Sequence, residues 1–137
     1  MITLIAAATL ASLDPATAKQ VINWSRKAKP FTSCTIGPDC AVKWEAAKNW
    51  VRENTRFKII VDEPGLFSTP GAIYANTDLS FTLTWQELGD GQSELKIYAW
   101  CGNVISCIPK PKTAVEQLKR VVDQASSTSR IGSMTPP

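Results

Sequence analysis

The most regular stretch of the chain alternates apolar and polar residues. From Asp78 to Leu88, Leu79, Phe81, Leu83 and Trp85 interleave with Ser80, Thr82, Thr84 and Gln86, the two-residue period of a strand that buries one face. Gly89-Asp90-Gly91 reads as a hairpin turn. From Glu94 to Cys101 the alternation resumes, with Leu95, Ile97, Ala99 and Cys101 on one face and Lys96, Tyr98 and Trp100 on the other. Upstream, Phe57, Ile59 and Val61 alternate with Lys58, Ile60 and Asp62 over Arg56–Glu63, predicting another strand. Pro64-Gly65 is a turn, and Leu66–Ala75 has room for a short strand broken by Pro70-Gly71.

Elsewhere the apolar period is helical. Asp39 is the expected N-cap of a helix over Cys40–Asn54, in which Trp44, Ala47 and Val51 recur on one face and Trp50 widens it. Lys43, Glu45, Lys48, Arg52 and Glu53 take the other side, so both tryptophans read as core. Beyond Pro109 and Pro111, the stripe Ala114, Val115, Leu118, Val121, Val122 and Ala125 predicts a last helix. A weaker stripe of Ala18, Val21, Ile22 and Trp24 fits a helix within Asp14–Lys29, stopped by Pro30, and Phe31–Asp39 reads as a loop. The expected class is α+β, a small antiparallel sheet of three to four strands flanked by helices in the order α-β-β-β-α. Such a sheet buries one face and wets the other. Tyr98 and Trp100 would then project from the polar face, either under a loop or as an aromatic surface patch.

At 137 residues the chain is expected to form one domain with a core of its own. Residues 1–18 read as a signal peptide, 19–125 as the domain and 126–137 as a polar, disordered tail. The run Met1–Leu13 is apolar, uncharged and shorter than the roughly 20 residues a membrane span needs. Ala16-Thr17-Ala18 puts small residues where a signal peptidase reads them, although no Lys or Arg precedes the apolar run. The alternative is a buried N-terminal helix. A lipid anchor needs a cysteine directly after the apolar run, and the nearest, Cys34, lies well beyond it. No transmembrane span is expected in the mature chain.

Charge and chemistry narrow the function classes. A net charge of +3 is too small to imply nucleic-acid binding, and the run Ser25-Arg26-Lys27-Ala28-Lys29 reads as a solvated segment. The absence of histidine removes Ser-His and Cys-His nucleophile pairs. No phosphate loop, nucleotide-binding glycine pattern, zinc-protease motif, nucleophile elbow or calcium loop occurs, so no cofactor and no metal or catalytic residue is assigned. The acidic candidates Asp62-Glu63 and Glu87 with Asp90 sit near turns, where carboxylates are usually solvated or capping.

The four cysteines form two pairs of equal spacing, Cys34 with Cys40 and Cys101 with Cys107. Three connectivities are open. Pairing within each couple is simplest, because each spans a turn-prone loop. A cross-pairing such as Cys40 with Cys101 would close a longer loop, and a four-cysteine zinc site is the chemical rival, though zinc ligands are usually spaced more closely. Disulfides imply an oxidising compartment, periplasmic or extracellular.

The run Asp39-Cys40-x-x-Lys43-Trp44-x-x-Ala47-x-x-Trp50-Val51-x-x-Asn54 resembles a family of small uncharacterised exported or lipid-anchored proteins of Gram-negative bacteria. Leu88-Gly89-Asp90-Gly91 and Ala99-Trp100-Cys101-x-Asn103 followed by Cys107 and Pro109 continue the likeness, over residues 34–124. The resemblance implies an envelope location and oxidised cysteines, and no activity. Together these readings favour a non-enzymatic binding or interaction module with a protein partner. Its candidate binding residues are Tyr98 and Trp100 on the sheet and Val104 and Ile105 at the tip of the second cysteine loop. The alternative is a small hydrolase-like enzyme of unrecognised type.

Overall fold

The fold was derived from a computed structural model that describes residues 13–70, 78–102 and 107–134, with side chains as far as Ala125. Its elements, in chain order, are α1 (Pro15–Lys27), β1 (Lys29–Thr35), α2 (Pro38–Asn54), β2 (Val61–Glu63), β3 (Leu66–Ser68), β4 (Leu79–Gly89), β5 (Gln92–Cys101) and α3 (Pro111–Met134). The strands form one antiparallel sheet in the order β1-β5-β4-β3-β2. The class is α+β, as expected, with five strands rather than three or four among the described residues.

The added strand is β1, which lies where a loop was expected. Pro30 and two polar residues hide its pattern, but it is an edge strand, where a missing N–H is tolerated. Phe31 and Cys34 still point into the core, and a register shift between Pro30 and Thr32 accommodates the proline. Of the strand expected over Arg56–Glu63, only Val61–Glu63 pairs, with β3. The β4–β5 hairpin follows the alternation closely. Its turn has positive φ at Asp90 (54°) and Gly91 (74°), which suits a two-residue hairpin loop.

Strands β2 to β5 follow one another as a meander, whereas β1 lies at the opposite edge from β2. Helix α2 makes that crossing. Its 17 residues span about 25 Å, close to the width of five strands at roughly 4.8 Å each. The helix begins two residues earlier than expected. Gly37 is the N-cap, Pro38 occupies the first turn, and Asp39 lies inside the helix. The Asp39 carboxylate instead accepts a bond from the Thr35 backbone N–H at 2.9 Å, which ties β1 to α2.

Helices α2 and α3 cover one face of the sheet. Trp44, Ala47, Trp50 and Val51 of α2, with Ala114, Leu118 and Val122 of α3, pack on Phe67, Phe81, Leu83, Leu95 and Ile97. Trp50 meets Phe81 edge-on at 5.5 Å, and Trp44 tilts against Trp85 at 5.9 Å. Thr32 donates to Asp123 at 2.8 Å, fixing α3 to β1. The backbone of α3 continues helical past Ala125, where the apolar stripe ends.

The second face is not left wet. Helix α1 lies on it, with Val21 and Trp24 against Val61, Leu66, Tyr98 and Trp100. Ser68, Ser80 and Thr82 on that face are fully buried, and Ser68 and Thr82 bond to each other at 2.8 Å. The molecule therefore has three layers: α1, the sheet, and the α2–α3 pair. Asp14 caps α1 by accepting from the Thr17 backbone N–H at 3.1 Å and from its hydroxyl at 2.6 Å. This helix crosses the expected cleavage point after Ala18. A chain beginning at Lys19 would keep Val21 and Trp24 but lose the cap.

Candidate functional site

The cysteines pair locally. Cys34–Cys40 and Cys101–Cys107 have S–S distances of 2.02 and 2.04 Å and Cα separations of 5.0 and 5.8 Å, and no cysteine is free. This decides against the cross-pairing and the four-cysteine zinc site. Among the described residues no cluster of side chains suited to a metal occurs, and no helix is long and apolar enough to cross a membrane.

Tyr98 and Trp100 lie side by side, half-buried beneath α1 rather than under a loop. Their rings stack at 4.9 Å, Trp24 packs on Trp100 at 4.6 Å, and the Lys27 ammonium stands 5.6 Å from the Tyr98 ring centre. Val104 and Ile105 fall outside the described residues. The acidic candidates do not converge. Asp62 bonds Lys48 at 3.0 Å and Arg52 at 2.9 Å, and both cations also lie over the Phe67 ring. Glu87 and Asp90 are exposed at the hairpin end, away from Asp62. A hollow of about 280 Å³ beside Asp62 is lined by Trp44, Glu45, Glu63 and Trp85; its cation, Lys48, is already paired, meeting Glu45 at 3.2 Å as well as Asp62.

The feature with unspent chemistry is elsewhere. A cleft of about 810 Å³ opens where α1 hands over to β1, between the last turn of α1 and the first turns of α3. This is within the usual size range of ligand sites. Three consecutive residues of β5, Ile97, Tyr98 and Ala99, line it. Successive strand residues point to opposite faces, so a cavity that touches all three runs along the strand's edge rather than across a face.

That edge is open for a local reason. β1 pairs with β5 only as far as Lys29 opposite Ile97. The next residue back, Ala28, ends α1 and donates its N–H to Ser25 O at 3.4 Å. The chain thus turns into the helix where the strand would have continued, and past Ile97 no described strand lies beside β5 on this side.

Charge on the cleft is one-sided. Arg26, Lys27, Lys29 and Lys112 border it, against a single carboxylate, Glu116. None of the four cations is in an ion pair among the described residues. Arg26 and Lys27 have one structural use, since cations in a last turn complement the negative end of the helix. Lys29 and Lys112 have no such role. Between the charges lie Pro30, Ala99 and Val115, an apolar lining. Comparison of the chain with known protein families, curated proteins and solved structures finds no match.

The sequence signal for this site was the basic run Ser25–Lys29, which on its own reads as solvated. What it lacked was Lys112, more than eighty residues away, brought opposite Lys29 by the packing of α3 on β1 and β5.

Proposed function

We propose that the protein is a disulfide-stabilised binding module of an oxidising compartment, periplasmic or extracellular, and that it takes an anionic partner in the cleft beside β5. The observation that carries this reading is the set of four cations around an apolar groove, none of them in an ion pair among the described residues. Such a groove suits a ligand with both a negative charge and an apolar body, because burial of the apolar part adds to an attraction that salt would otherwise screen. The two disulfides, the resemblance of Trp100-Cys101 and Cys107 to exported proteins, and the apolar run before Asp14 support the location. The activity is recognition and not catalysis. The cleft offers fixed positive charge and apolar surface, without a histidine or free thiol to move protons at neutral pH.

The test is a titration with anilinonaphthalene sulfonate, an anionic aromatic probe, followed by amide chemical shifts. Shifts are expected to cluster at Lys29, Ile97, Ala99 and Val115. The double variant Lys29→Glu/Lys112→Glu is expected to lose them while keeping its fold. Shifts spread evenly over the surface, or unchanged in the variant, would overturn the reading.

A further inference from the structure

We infer that the occupant of the cleft is an extended acidic peptide segment of another protein, which adds to the sheet as a strand alongside β5, in line with β1. The inference rests on the reading of the cleft as an anion-binding site and names what binds there. Its ground is that the cleft runs along a strand edge. Beyond Ile97 no described strand pairs with this edge of β5 over Tyr98–Trp100, about 10 Å at roughly 3.3 Å per residue. Along a strand the N–H and C=O groups of alternate residues face alternate edges. At least one of these three residues therefore offers both its backbone groups to the cleft. An extended chain entering there would satisfy them and continue the ladder that β1 leaves unfinished, the mode of recognition by strand addition.

The walls select the chemistry of the added strand. Lys27 stands at the α1 wall, Lys112 at the α3 wall, and Lys29 at the inner end. Side chains of a strand alternate between two faces, so acidic groups on both sides of an added segment would meet cations on both walls. Small apolar residues between them would rest on Ala99 and Val115. A second copy of this chain is disfavoured as the occupant, because it would bring the same cations to the same edge and the whole chain already carries net positive charge.

The experiment measures binding by fluorescence anisotropy of a labelled hexapeptide Asp-Asp-Val-Val-Asp-Asp, which as a strand carries acidic groups on both faces with apolar residues between them, with amide hydrogen exchange on the full-length protein. Three probes run beside it. One is the same peptide with alternate backbone amides N-methylated, which keeps charge and side chains but cannot complete a ladder. The others are vesicles containing phosphatidylglycerol and the sulfonated probe described above. The expected result is that the peptide binds, that N-methylation weakens it by about tenfold or more as two strand bonds are lost, and that exchange slows at residues 98–100. Equal binding of the methylated peptide would overturn strand addition. Binding of the sulfonated probe or the vesicles, but not of the peptide, would overturn this inference and leave the anionic cleft standing. Failure of every anion to bind would overturn both.

Discussion

Trp24→Ala tests whether α1 is a working layer of the domain. Trp24 is 9% exposed, rests on Trp100 with ring centres 4.6 Å apart, and shares its helix with Val21, which is fully buried. Truncating a buried tryptophan to alanine typically costs about 3–5 kcal/mol, the spread reflecting how far the site can collapse into the space. Here the low end applies. α1 is a single helix lying on the outside of the sheet and can settle inward, whereas the opposite face is pinned by two helices and both disulfides. A loss of about 3 kcal/mol corresponds to roughly 9–15 °C in Tm for a domain of this size. The assay is thermal unfolding by far-ultraviolet circular dichroism, with Lys19→Ala on the exposed side of the same helix as control. A Tm within about 2 °C of the parent would mean that α1 does not pack on Tyr98 and Trp100, and the three-layer description would fail.

Other consequences are as specific. The Ser80 hydroxyl is buried and lacks a hydrogen-bond partner among the described residues, so Ser80→Ala should raise stability by about 1 kcal/mol in urea unfolding; a loss would mean the hydroxyl is bonded. Burial tends to raise the Asp123 pKa, but bonds from Lys119 and Thr32 and the charges of Lys119 and Lys43 outweigh it and hold the carboxyl below its ordinary value. A depressed folded-state pKa gives stability that is present above the unfolded pKa of about 3.9 and lost as pH falls through the folded value. Asp123→Asn should therefore be less stable than the parent at neutral pH and converge with it in acid; a constant difference down to the acid limit would refute the coupling. Replacing either cysteine pair by serine should cost about 2.4 kcal/mol in the chain-entropy account of a seven-residue ring, measured by urea unfolding; no change would mean that the loops are held without the bonds.

What the sequence made legible follows from the range of the forces involved. The β4–β5 hairpin was readable because both arms carry a strict alternation and the turn residues match its geometry. The face of α2 with Trp44, Trp50 and Val51 was readable because one helix buries one stripe. β1 was not, since an edge strand is defined by its partner: Lys29–Thr35 pairs with residues more than fifty positions away. The covering of Tyr98 and Trp100 was missed for a related reason. The weak stripe of α1 gave no hint of which face of the sheet it would take, and Asp14-Pro15, a cap followed by a first-turn proline, marked where the helix starts but not where it lies. The cleft was least legible, because no local pattern joins Lys29 to Lys112.

The two disulfides differ in what they hold. Cys34–Cys40 ties the far end of β1 to the first turn of α2, beside Ser93 of β5. Cys101–Cys107 ties the other end of β5 to the segment that leads into α3. Since β1 and β5 run antiparallel, the bonds clamp opposite ends of the strand pair that floors the cleft. Only the second stands next to the open edge. Pro111 starts α3 four residues after Cys107, so the bond limits how far Lys112 and Val115 can move from Ala99. Breaking the first bond loosens a strand end remote from the cleft, whereas breaking the second also frees one of its walls. The pair at Cys101 and Cys107 thus has a role in shaping the groove that its equal spacing with the first pair does not reveal.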